Sequence, residues 1–530
     1  MDGLLVSEVS RGADPGTSRY PFLVALSFAN VCYLRIWSEL LTYTRSDVYL
    51  MVTPPKPVEY YALICNVLLT AVVVWGLGLL ARRLLQGRNF RFAEMAVVLG
   101  LCIPLNALRT VLSARFPYLK SPLIGLLGLR GVMLLAACLV VAGVVALVWF
   151  HRKLAAWAAA LLLALSPFCA VTFGQALWRA AHYDAREYAN KPTTPMIPNA
   201  RKYPRVVWFI ADEWDYRLSF VDRDPSLTMP ELDRLRQSSI FAVNALPPGP
   251  ETPISIPAYY GGKVPDYVVW DGPHELRLHF KNPPAYVPWS GQPNVFQRAG
   301  GLGLNTALVE WFHPSCRILT GLSYCNWRPM AMQYNSMGEG FWRILVNQQR
   351  SLLETTMFSV FGRSLAADQQ TSVYKAILSE AESVSNNSDF AFTVIHLPVP
   401  HSPHAYNRKT GEFTLGNAPI AGYVDSLALL DRTVGEIRRS MESAGTWDST
   451  TVLFTSDHPY REAEQLDGKS DPRIPYVLKL AAQKDGVVYQ NKFNTLVTGE
   501  LLLSVLRGEI TDAASATAWL DRQRVTSATK

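Results

Sequence analysis

Charged residues are scarce in this chain. They make up 18% of its 530 residues, whereas soluble globular domains carry about 25%. The scarcity is uneven, because residues 1–180 contain long blocks with almost no charge, while residues 181–530 have the composition of a water-soluble domain. A hydrophobic content of 49% excludes a disordered chain. The net charge of +7, with Lys and Arg clustered beside apolar runs, indicates a membrane bilayer as partner and argues against nucleic acid.

Cysteine is also sparse. The seven cysteines form no Cys-x-x-Cys pair, which excludes a cysteine-based zinc ribbon. Five of them lie in apolar segments, where cysteine is normally a small buried hydrophobe. Only Cys316 and Cys325 fall in the polar part of the chain. They predict a disulfide if this part is exported, with two unpaired thiols as the alternative.

Long apolar runs fill the first third of the chain. A membrane-spanning helix needs roughly 20 mostly apolar residues. Residues 1–180 therefore predict an α-helical membrane domain of five spans, at about residues 20–41, 58–81, 92–111, 127–150 and 154–178. The first span is interrupted by Arg35 and Glu39, which are four residues apart on a helix and can pair or extend toward the interface.

The positions of Lys and Arg predict the orientation of these spans. With the N-terminus inside, the inner segments hold eight of these residues and the outer loops four, as the positive-inside rule requires. An odd number of spans then places the rest of the chain outside. The sequence thus predicts a multi-pass protein of the plasma (inner) membrane whose polar part lies on the periplasmic or extracellular side.

A polar linker at residues 181–203 precedes a region with alternating strand and helix patterns over residues 204–530. This alternation predicts an α/β domain with a largely parallel sheet covered on both faces. The clearest helix runs from Asn417 to Gly445, with apolar residues spaced three and four apart. Predicted strands lie at residues 205–212, 238–246, 304–312, 390–397, 450–457 and 474–480.

Carboxylates and imidazoles recur at the ends of these strands. The first strand runs into Asp212, a later one contains His396 near its end, and another ends in Asp457-His458. In parallel sheets, ligands bind beyond the carboxyl ends of the strands. Each residue alone is more often a loop hydrogen-bonding group than a ligand, but their convergence suits a hard or borderline divalent cation.

Two hydroxyl groups, Thr252 and Ser255, follow another apolar strand within Glu-Thr-Pro-Ile-Ser-Ile-Pro. A hydroxyl is a poor nucleophile at its free pKa. A metal bound to its oxygen lowers that pKa and neutralises charge on a phosphoryl or sulfuryl group under attack. The sequence therefore offers both a nucleophile and its activator.

The order of these motifs resembles the alkaline phosphatase superfamily in its sulfatase-like branch. The order is Asp at the first strand end, then Thr-x-x-Ser-x-Pro, His-x-x-x-x-His and Ser-Asp-His. The helix carrying Tyr423, Asp431 and Gly435 is similar to a Tyr…Asp…Gly helix of that branch. Five spans followed by such a domain resemble the lipid A phosphoethanolamine transferases and the lipoteichoic acid synthases. The resemblance implies an alkaline-phosphatase-like α/β sandwich as an extracytoplasmic, sulfatase-like catalytic domain at residues 204–530.

The resemblance also implies roles for individual residues. Thr252 is the nucleophile, ahead of Ser255, and His396 and His401 contact the substrate or a second cation. Arg473 clamps phosphate through two hydrogen bonds. The ligands of a divalent metal, Zn or Mn, are Asp212, Thr252, Asp457 and His458.

Three departures from the family pattern shape the expected chemistry. Asp212 stands where the transferases have Glu, and Pro459 replaces the usual glycine after Ser-Asp-His, which removes an N–H donor. The sulfatase signature Cys-x-Pro-x-Arg is missing. With Thr252 in place of that cysteine, phosphoryl transfer is favoured over sulfate ester hydrolysis.

The sequence thus predicts a metal-dependent membrane phosphotransferase. It takes phosphoethanolamine or phosphoglycerol from a phospholipid donor, forms a phospho-Thr252 intermediate, and passes the group to a sugar of a cell-surface glycan or glycolipid. Two alternatives stay open, a phosphodiesterase or sulfatase-type hydrolase and a non-catalytic membrane scaffold or transporter. The head group, the acceptor and the choice between Zn and Mn are left open by the residues.

Overall fold

The computed structural model describes residues 20–42, 54–84, 95–96, 98–115, 120–186, 189–272, 274–329, 340–356, 362–414 and 419–528. These residues form two compact units. The first unit contains the described parts of Met1–Tyr43, Pro55–Tyr183 and Gly338–Gly362. The second unit contains the described parts of Thr44–Pro54, Asp184–Met337 and Arg363–Lys530.

The regular elements are numbered here in chain order. The α-helices are α1 (Pro21–Cys32), α2 (Leu34–Thr42), α3 (Pro57–Leu84), α4 (Cys102–Arg115), α5 (Lys120–Ala164), α6 (Ser166–Ala181), α7 (Pro230–Arg236), α8 (Thr252–Gly261), α9 (Val295–Gly300), α10 (Ser315–Ile318), α11 (Phe341–Thr356), α12 (Gly362–Asn386), α13 (Pro419–Ser443), α14 (Ala463–Asp467), α15 (Thr498–Leu506) and α16 (Ala513–Ala528). The strands are β1 (Arg205–Ala211), β2 (Ile240–Ala242), β3 (Ala245–Leu246), β4 (Tyr267–Trp270), β5 (Leu276–Lys281), β6 (Pro284–Pro288), β7 (Thr306–Trp311), β8 (Tyr324–Arg328), β9 (Phe392–Leu397), β10 (Tyr406–Asn407), β11 (Glu412–Phe413), β12 (Thr450–Ser456), β13 (Tyr476–Lys479), β14 (Val487–Tyr489) and β15 (Phe493–Asn494).

The first unit is helical and apolar. Among the described residues, two helical segments are long and apolar enough to cross a membrane. They are Pro57–Leu84, which is α3, and Val148–Ala181, which comprises the end of α5 and all of α6. The pair α1 and α2, bent by 61°, passes the same test when it is taken as one span. The described residues therefore contain two candidate spans, or three with the bent pair, where the sequence predicts five.

Two of the predicted spans differ from the structure in a specific way. Residues 127–150 and 154–178 were predicted as separate spans joined at residues 151–153, but α5 runs through that joint without a break. The tripeptide His151-Arg152-Lys153 contains no glycine or proline, so nothing in it interrupts the helical backbone. The predicted span at 92–111 lies partly outside the described residues. Its described part, Val98–Leu112, overlaps α4 and is an apolar helix shorter than a span.

Helices α1 and α3 run antiparallel. The rings of Phe22 and Trp75 lie 5.9 Å apart, and the hydroxyl groups of Tyr33 and Thr70 lie 3.1 Å apart. As residue numbers rise along α1, those of its contacts fall along α3. The two helices therefore form an antiparallel pair, as expected of consecutive spans.

Helices α1 and α6 run parallel. Ser27 Oγ lies 4.0 Å from Cys169 Sγ, and Thr172 donates a 3.1 Å hydrogen bond to Asn30. Residue numbers rise together along the two helices. Helices α1 and α6 thus point in the same direction, opposite to that of α3.

An eight-stranded sheet organises the second unit, in the order β14-β2-β13-β12-β1-β9-β7-β8. Strands β12, β1, β9, β7 and β8 pair in parallel, and β13 is antiparallel to both of its neighbours. Every strand predicted from the sequence coincides with a strand of this unit, which confirms the largely parallel sheet. Strand β1 is fully buried and pairs in parallel with β12 and β9. Its carboxyl end therefore lies beside theirs, at the edge where parallel sheets bind ligands.

Apolar clusters cover both faces of the sheet, as predicted. Helix α13 contributes to one of these clusters with the face predicted from the spacing of its apolar residues, which are Tyr423, Leu427, Leu430 and Val434. Asn417, where the predicted helix begins, lies outside the described residues. Gly445, the predicted residue after the helix, has a φ of 69°, which glycine adopts without steric cost.

Candidate metal centre

Four of the predicted site residues meet at the carboxyl edge of the sheet. Asp212 follows β1, and Asp457 and His458 follow β12, which pairs with β1 in parallel up to Ala211 opposite Ser456. Thr252 is the first residue of α8. Equal register at the ends of two neighbouring strands brings the two carboxylates side by side, as the sequence predicts.

The hydroxyl of Thr252 lies at the centre of this group. Its Oγ1 is 2.7 Å from Asp457 Oδ2, 3.2 Å from His458 Nε2 and 3.5 Å from Asp212 Oδ1. His458 Nε2 is in turn 3.7 Å from Asp212 Oδ1 and 3.4 Å from Asp457 Oδ2. All four side chains are buried. The hydroxyl is thus surrounded by two acids and one imidazole.

The start of α8 adds a fixed positive potential to this position. The helix dipole favours negative charge at this end, so an oxyanion or phosphate on Thr252 is stabilised there, although Pro253 has no N–H and the N–H groups of Ile254 and Ser255 donate to Glu251 O. Gly249 allows the preceding loop to approach closely, since a Cβ at this position would lie 2.5 Å from Ile254 Cγ2. Ser255 Oγ, one turn into the helix, is buried and makes no described contact with the acids.

Two buried polar atoms at the site have no hydrogen-bond partner among the described residues, Asp212 Oδ2 and His396 Nε2. Together with a carboxylate oxygen of Asp457, ligand atoms of these residues all lie within 4.8 Å of one another. An unpaired polar atom in a protein interior costs about 1–3 kcal/mol, and a cation between these atoms removes that cost. The residues therefore fit a divalent metal with oxygen and nitrogen ligands.

The two acids have opposite protonation tendencies. Burial, together with the negative charges of Asp457 and Glu213, raises the pKa of Asp212 well above its ordinary value. Burial acts in the same direction on Asp457, but the imidazoles of His458 and His396 and the hydrogen bond from Thr252 outweigh it and lower its pKa. Without a cation, Asp212 therefore holds a proton more tightly than Asp457 does.

His396 lies deeper than its predicted role implies. Its Nδ1 is 2.7 Å from Glu310 Oε1 and 2.9 Å from Trp311 O, while its Nε2 points to Asp212 Oδ2 at 3.9 Å. Burial alone would lower the pKa of His396, but the hydrogen bond and charge of Glu310 raise it. The fully buried ring faces the candidate cation position, which makes it a better metal ligand than a substrate contact.

Glu310 was missed by the sequence analysis. It lies inside the apolar strand β7 and is completely buried, with a second hydrogen bond from Tyr260 to Oε2 at 2.8 Å. A carboxylate behind a metal-binding imidazole fixes the orientation of the ring and raises its basicity. An acid in the middle of an otherwise apolar strand was the signal that could have revealed it.

Substitution Glu310→Gln is expected to lower metal affinity by about 10- to 100-fold, because it removes the charge behind His396 while keeping the shape of the side chain. Titration of the purified protein with Zn²⁺ or Mn²⁺ measures this effect. Tyr260→Phe is the matched control, since it removes a different hydrogen bond to the same carboxylate and should leave metal affinity unchanged. Equal affinities of Glu310→Gln and the parent would contradict the role given to Glu310.

The proline after His458 has a structural consequence. His458 Nδ1 lies 2.9 Å from Pro459 O. A carbonyl oxygen only accepts hydrogen bonds, so Nδ1 carries the proton and Nε2 presents its lone pair to Thr252 and the acids. Proline removes the N–H donor that glycine would supply, as the sequence implies, but its carbonyl sets the tautomer of the neighbouring imidazole.

His401 lies beside the group, within electrostatic reach of His458 and Glu213, whereas Arg473 lies apart from it. His401 is half-buried, with its ring edge against Trp311 at a centroid distance of 5.0 Å, and burial lowers its pKa. Arg473 pairs with Asp471 at 2.6 Å and lies over the ring of Tyr216. No contact described for Arg473 reaches Thr252 or the two acids, so the structure does not bring the predicted phosphate clamp to the site.

A different arginine, Arg461, lies beside the site. Its Nε is 2.8 Å from Glu213 Oε1, and 54% of its side chain is exposed. The backbone N–H of Glu213 donates to Asp457 Oδ1 at 3.2 Å, while Tyr423 donates to Glu213 O at 2.7 Å. Tyr423 thus holds the loop after β1, and Arg461 supplies a positive charge near the acids.

The two cysteines of the second unit, Cys316 and Cys325, form a disulfide with a Cα–Cα distance of 5.5 Å. The bond joins α10 to β8 within the second unit.

One of three comparisons with known proteins identifies the family of this chain. Solved structures with a similar fold include Ps i-CgsB in complex with k-i-k-neocarrahexaose (15% identity, TM-score 0.41, 59% of this chain and 73% of the other). They also include the lipoteichoic acid synthase LtaP from Listeria monocytogenes (13% identity, TM-score 0.37, 60% and 75%) and the phosphonate monoester hydrolase of Agrobacterium radiobacter (13% identity, TM-score 0.37, 57% and 74%).

No curated protein matches the chain. The sulfatase family model matches residues 204–491, more than half of the chain. The chain therefore belongs to the sulfatase family, within the alkaline phosphatase superfamily of hydrolases and transferases.

Proposed function

We propose that this protein is a metal-dependent phosphotransferase of the cell membrane. It moves phosphoethanolamine or phosphoglycerol from a phospholipid to a sugar of a cell-surface glycan or glycolipid. The observation that carries the proposal is the position of Thr252 Oγ1, 2.7 Å from Asp457 Oδ2 at the first residue of α8. A hydroxyl held between two acids and an imidazole is a nucleophile for phosphorus.

Asp212, Asp457, His458 and His396 are the residues that would hold the cation, with Thr252 bound through its hydroxyl oxygen. When bound, a Zn²⁺ or Mn²⁺ ion lowers the pKa of that hydroxyl and neutralises charge on the phosphoryl oxygens. The choice of phosphorus over sulfur rests on the threonine itself, because the formylglycine precursor cysteine is absent from this position.

The chain's own residues account for the two halves of the reaction. Thr252 Oγ1 forms a bond to phosphorus while its proton leaves along the hydrogen bond to Asp457, and the bond from phosphorus to the lipid oxygen breaks. The proton then passes from Asp457 to the departing lipid oxygen. In the second half the acceptor hydroxyl gives its proton to Asp457 and attacks the same phosphorus, the bond from phosphorus to Thr252 Oγ1 breaks, and Oγ1 takes that proton back. The dipole of α8 stabilises the phosphorylated threonine, and the charge of Arg461, which acts on Asp212, would attract a phosphate oxygen.

The helical unit supports a lipid donor and an outer location for the catalytic residues. Helices α1 and α6 run parallel to each other, and α3 runs antiparallel to α1. With Arg82 and Arg83 at the end of α3 inside, the chain after α6 continues on the outer face. We therefore propose a multi-pass protein of the plasma (inner) membrane with its catalytic residues on the periplasmic or extracellular side.

Hydrolysis, with water as the final acceptor, is the second candidate, favoured by the match to the sulfatase family model. It uses the same first half-reaction and differs only in the second. A non-catalytic scaffold is disfavoured by the geometry, since a chain without chemistry has no need for a hydroxyl and four buried ligand groups within contact distance.

Mass spectrometry of surface glycolipids and glycans tests the proposal. Cells that express the parent chain are expected to carry a sugar enlarged by one phospho-head group, and cells with Thr252→Ala should lack it. Release of the head group as a free phosphate ester, with no modified glycan, would overturn the transferase and favour the hydrolase.

A further inference from the structure

Helix α11 belongs to a different unit from its neighbours in the chain. It lies between β8 and α12, which are both in the second unit, yet residues 338–362 belong to the helical first unit. The chain therefore leaves the second unit at this segment and returns to it afterwards. The contacts of the segment within the first unit indicate its role.

Polar side chains attach α11 to α3. Asn66 donates to Leu345 O at 3.1 Å and to Gln348 Oε1 at 3.0 Å, and Gln349 donates back to Asn66 Oδ1 at 3.0 Å. Gln348 also donates to Glu59 O at 3.0 Å. Asn66 and Gln348 are completely buried. Amide hydrogen bonds of this kind join helices in a membrane, where no water competes for the groups.

These contacts reach well into the candidate span. Helix α3 begins at Pro57, and Asn66 is nine residues further on, about 14 Å along the helix axis at 1.5 Å per residue. The hydrocarbon core of a bilayer is about 30 Å thick. The contact surface on α3 therefore extends into the half of the bilayer that contains the Pro57 end.

The opposite face of α11 is apolar and exposed. Trp342 is 76% exposed, Val346 53% and Leu353 47%, and at 100° per residue they fall within a 40° arc. The buried face carries Gln348 and Ser351 together with Ile344. Buried polar side chains opposite an exposed row of large apolar ones are unusual for a helix that lies in water, and the arrangement is expected of a helix in contact with lipid.

Two further features favour lipid over a protein partner. Arg343 and Arg350 lie next to the apolar arc, at the positions where cationic side chains reach lipid phosphates. Helix α3, which α11 contacts through Asn66, also exposes large apolar side chains, as a helix in lipid does. The exposed residues of α3 include Leu68, Leu69, Val72 and Val73.

We propose that α11 is embedded in the outer leaflet of the membrane, with Trp342, Val346 and Leu353 in contact with acyl chains and Arg343 and Arg350 at the level of the lipid phosphates. Both ends of the segment continue into the catalytic unit. The helix is thus a second attachment of that unit to the bilayer, besides the connection after α6. This inference goes beyond the reaction proposed above and does not depend on which head group is transferred.

Three exposed valines provide a matched test. Val346 in α11 is compared with Val73 in α3 and Val488 in β14, which are 58% and 56% exposed. Each is replaced by cysteine in the full chain, with the five unpaired cysteines changed to alanine, and labelled with bimane. The labelled proteins are reconstituted into vesicles of phosphatidylethanolamine and phosphatidylglycerol. Quenching is measured with lipids that carry a nitroxide on the acyl chain and with aqueous iodide.

The label at Val346→Cys is expected to be quenched by the nitroxide lipids as strongly as the label at Val73→Cys, and to be protected from iodide. The label at Val488→Cys should show the opposite pattern. Iodide quenching at position 346 equal to that at position 488 would overturn the proposal. Protection from both quenchers at position 346 would also overturn it, because a protein surface would then cover the helix.

Discussion

Replacement of Thr252 by alanine is expected to lower turnover by about 10³- to 10⁶-fold, the range seen when an enzyme loses its nucleophile. The reason is that Oγ1 is the atom held between Asp457 and His458, and alanine leaves the two acids and both imidazoles in place. Metal binding should therefore survive the change. Turnover is measured as release of diacylglycerol from phospholipid by the purified full chain, and bound metal by elemental analysis.

Two variants separate a missing nucleophile from a damaged site. Thr252→Ser keeps a hydroxyl at the first residue of α8 and should retain much of the activity. Ser255→Ala removes a buried hydroxyl from the same helix that makes no described contact with the acids, and should leave turnover near that of the parent. Full activity in Thr252→Ala, or equal losses in Thr252→Ala and Ser255→Ala, would contradict covalent catalysis by Thr252.

Substitution Asp212→Asn is expected to abolish metal binding and activity while it preserves or raises the stability of the metal-free protein. The acid is completely buried, and burial and its acidic neighbours raise its pKa, so ionising Asp212 opposes folding unless a cation is bound. Asparagine removes that cost together with the ligand charge. In the parent, metal at 100 times its dissociation constant adds about 2.7 kcal/mol of stability, and this gain should disappear in the variant.

Thermal unfolding with and without Zn²⁺ or Mn²⁺ measures both effects. Asp431→Asn is the control, because Asp431 is a buried acid of α13 whose pKa burial raises to about 6, and it accepts the backbone N–H of Leu232 far from the cluster. This control should keep the full response to metal. A metal-free Asp212→Asn protein that unfolds at a clearly lower temperature, or one that still gains stability from metal, would contradict the account.

Much of the site could be predicted because it follows from strand ends. Asp212 and Asp457 were found by reading the residue after each apolar run, and parallel pairing in equal register brings those positions together. Tyr423 was found from its place in a helix, and the structure gives it a partner at Glu213. Local sequence and sheet topology agree at these residues, so the pattern alone was sufficient.

Other features depend on contacts that no local pattern encodes. Glu310 supports His396 from a neighbouring strand, and its partner is 86 residues away in the sequence. Arg473 was placed at the site by analogy, but Asp471, two residues earlier, holds it, and Arg461 lies nearer.

The membrane part shows the same limit. Periodicity and hydropathy predict apolar helices but do not say where a helix continues. The predicted joint at residues 151–153 was therefore wrong, since α5 passes through it. Helix α11 was assigned with the rest of residues 204–530 because its composition is mixed, and only its hydrogen bonds to Asn66 reveal its association with α3.

The central claim is that Thr252 becomes covalently phosphorylated by a lipid head group. Peptide mass spectrometry tests it most directly, on the full chain incubated with phosphatidylethanolamine or phosphatidylglycerol, quenched in acid and digested. We predict a peptide that contains Thr252 and is heavier by phosphoethanolamine or phosphoglycerol, present in the parent and absent in Thr252→Ala. Diacylglycerol release by the parent with an unmodified Thr252 peptide at every time point would contradict it.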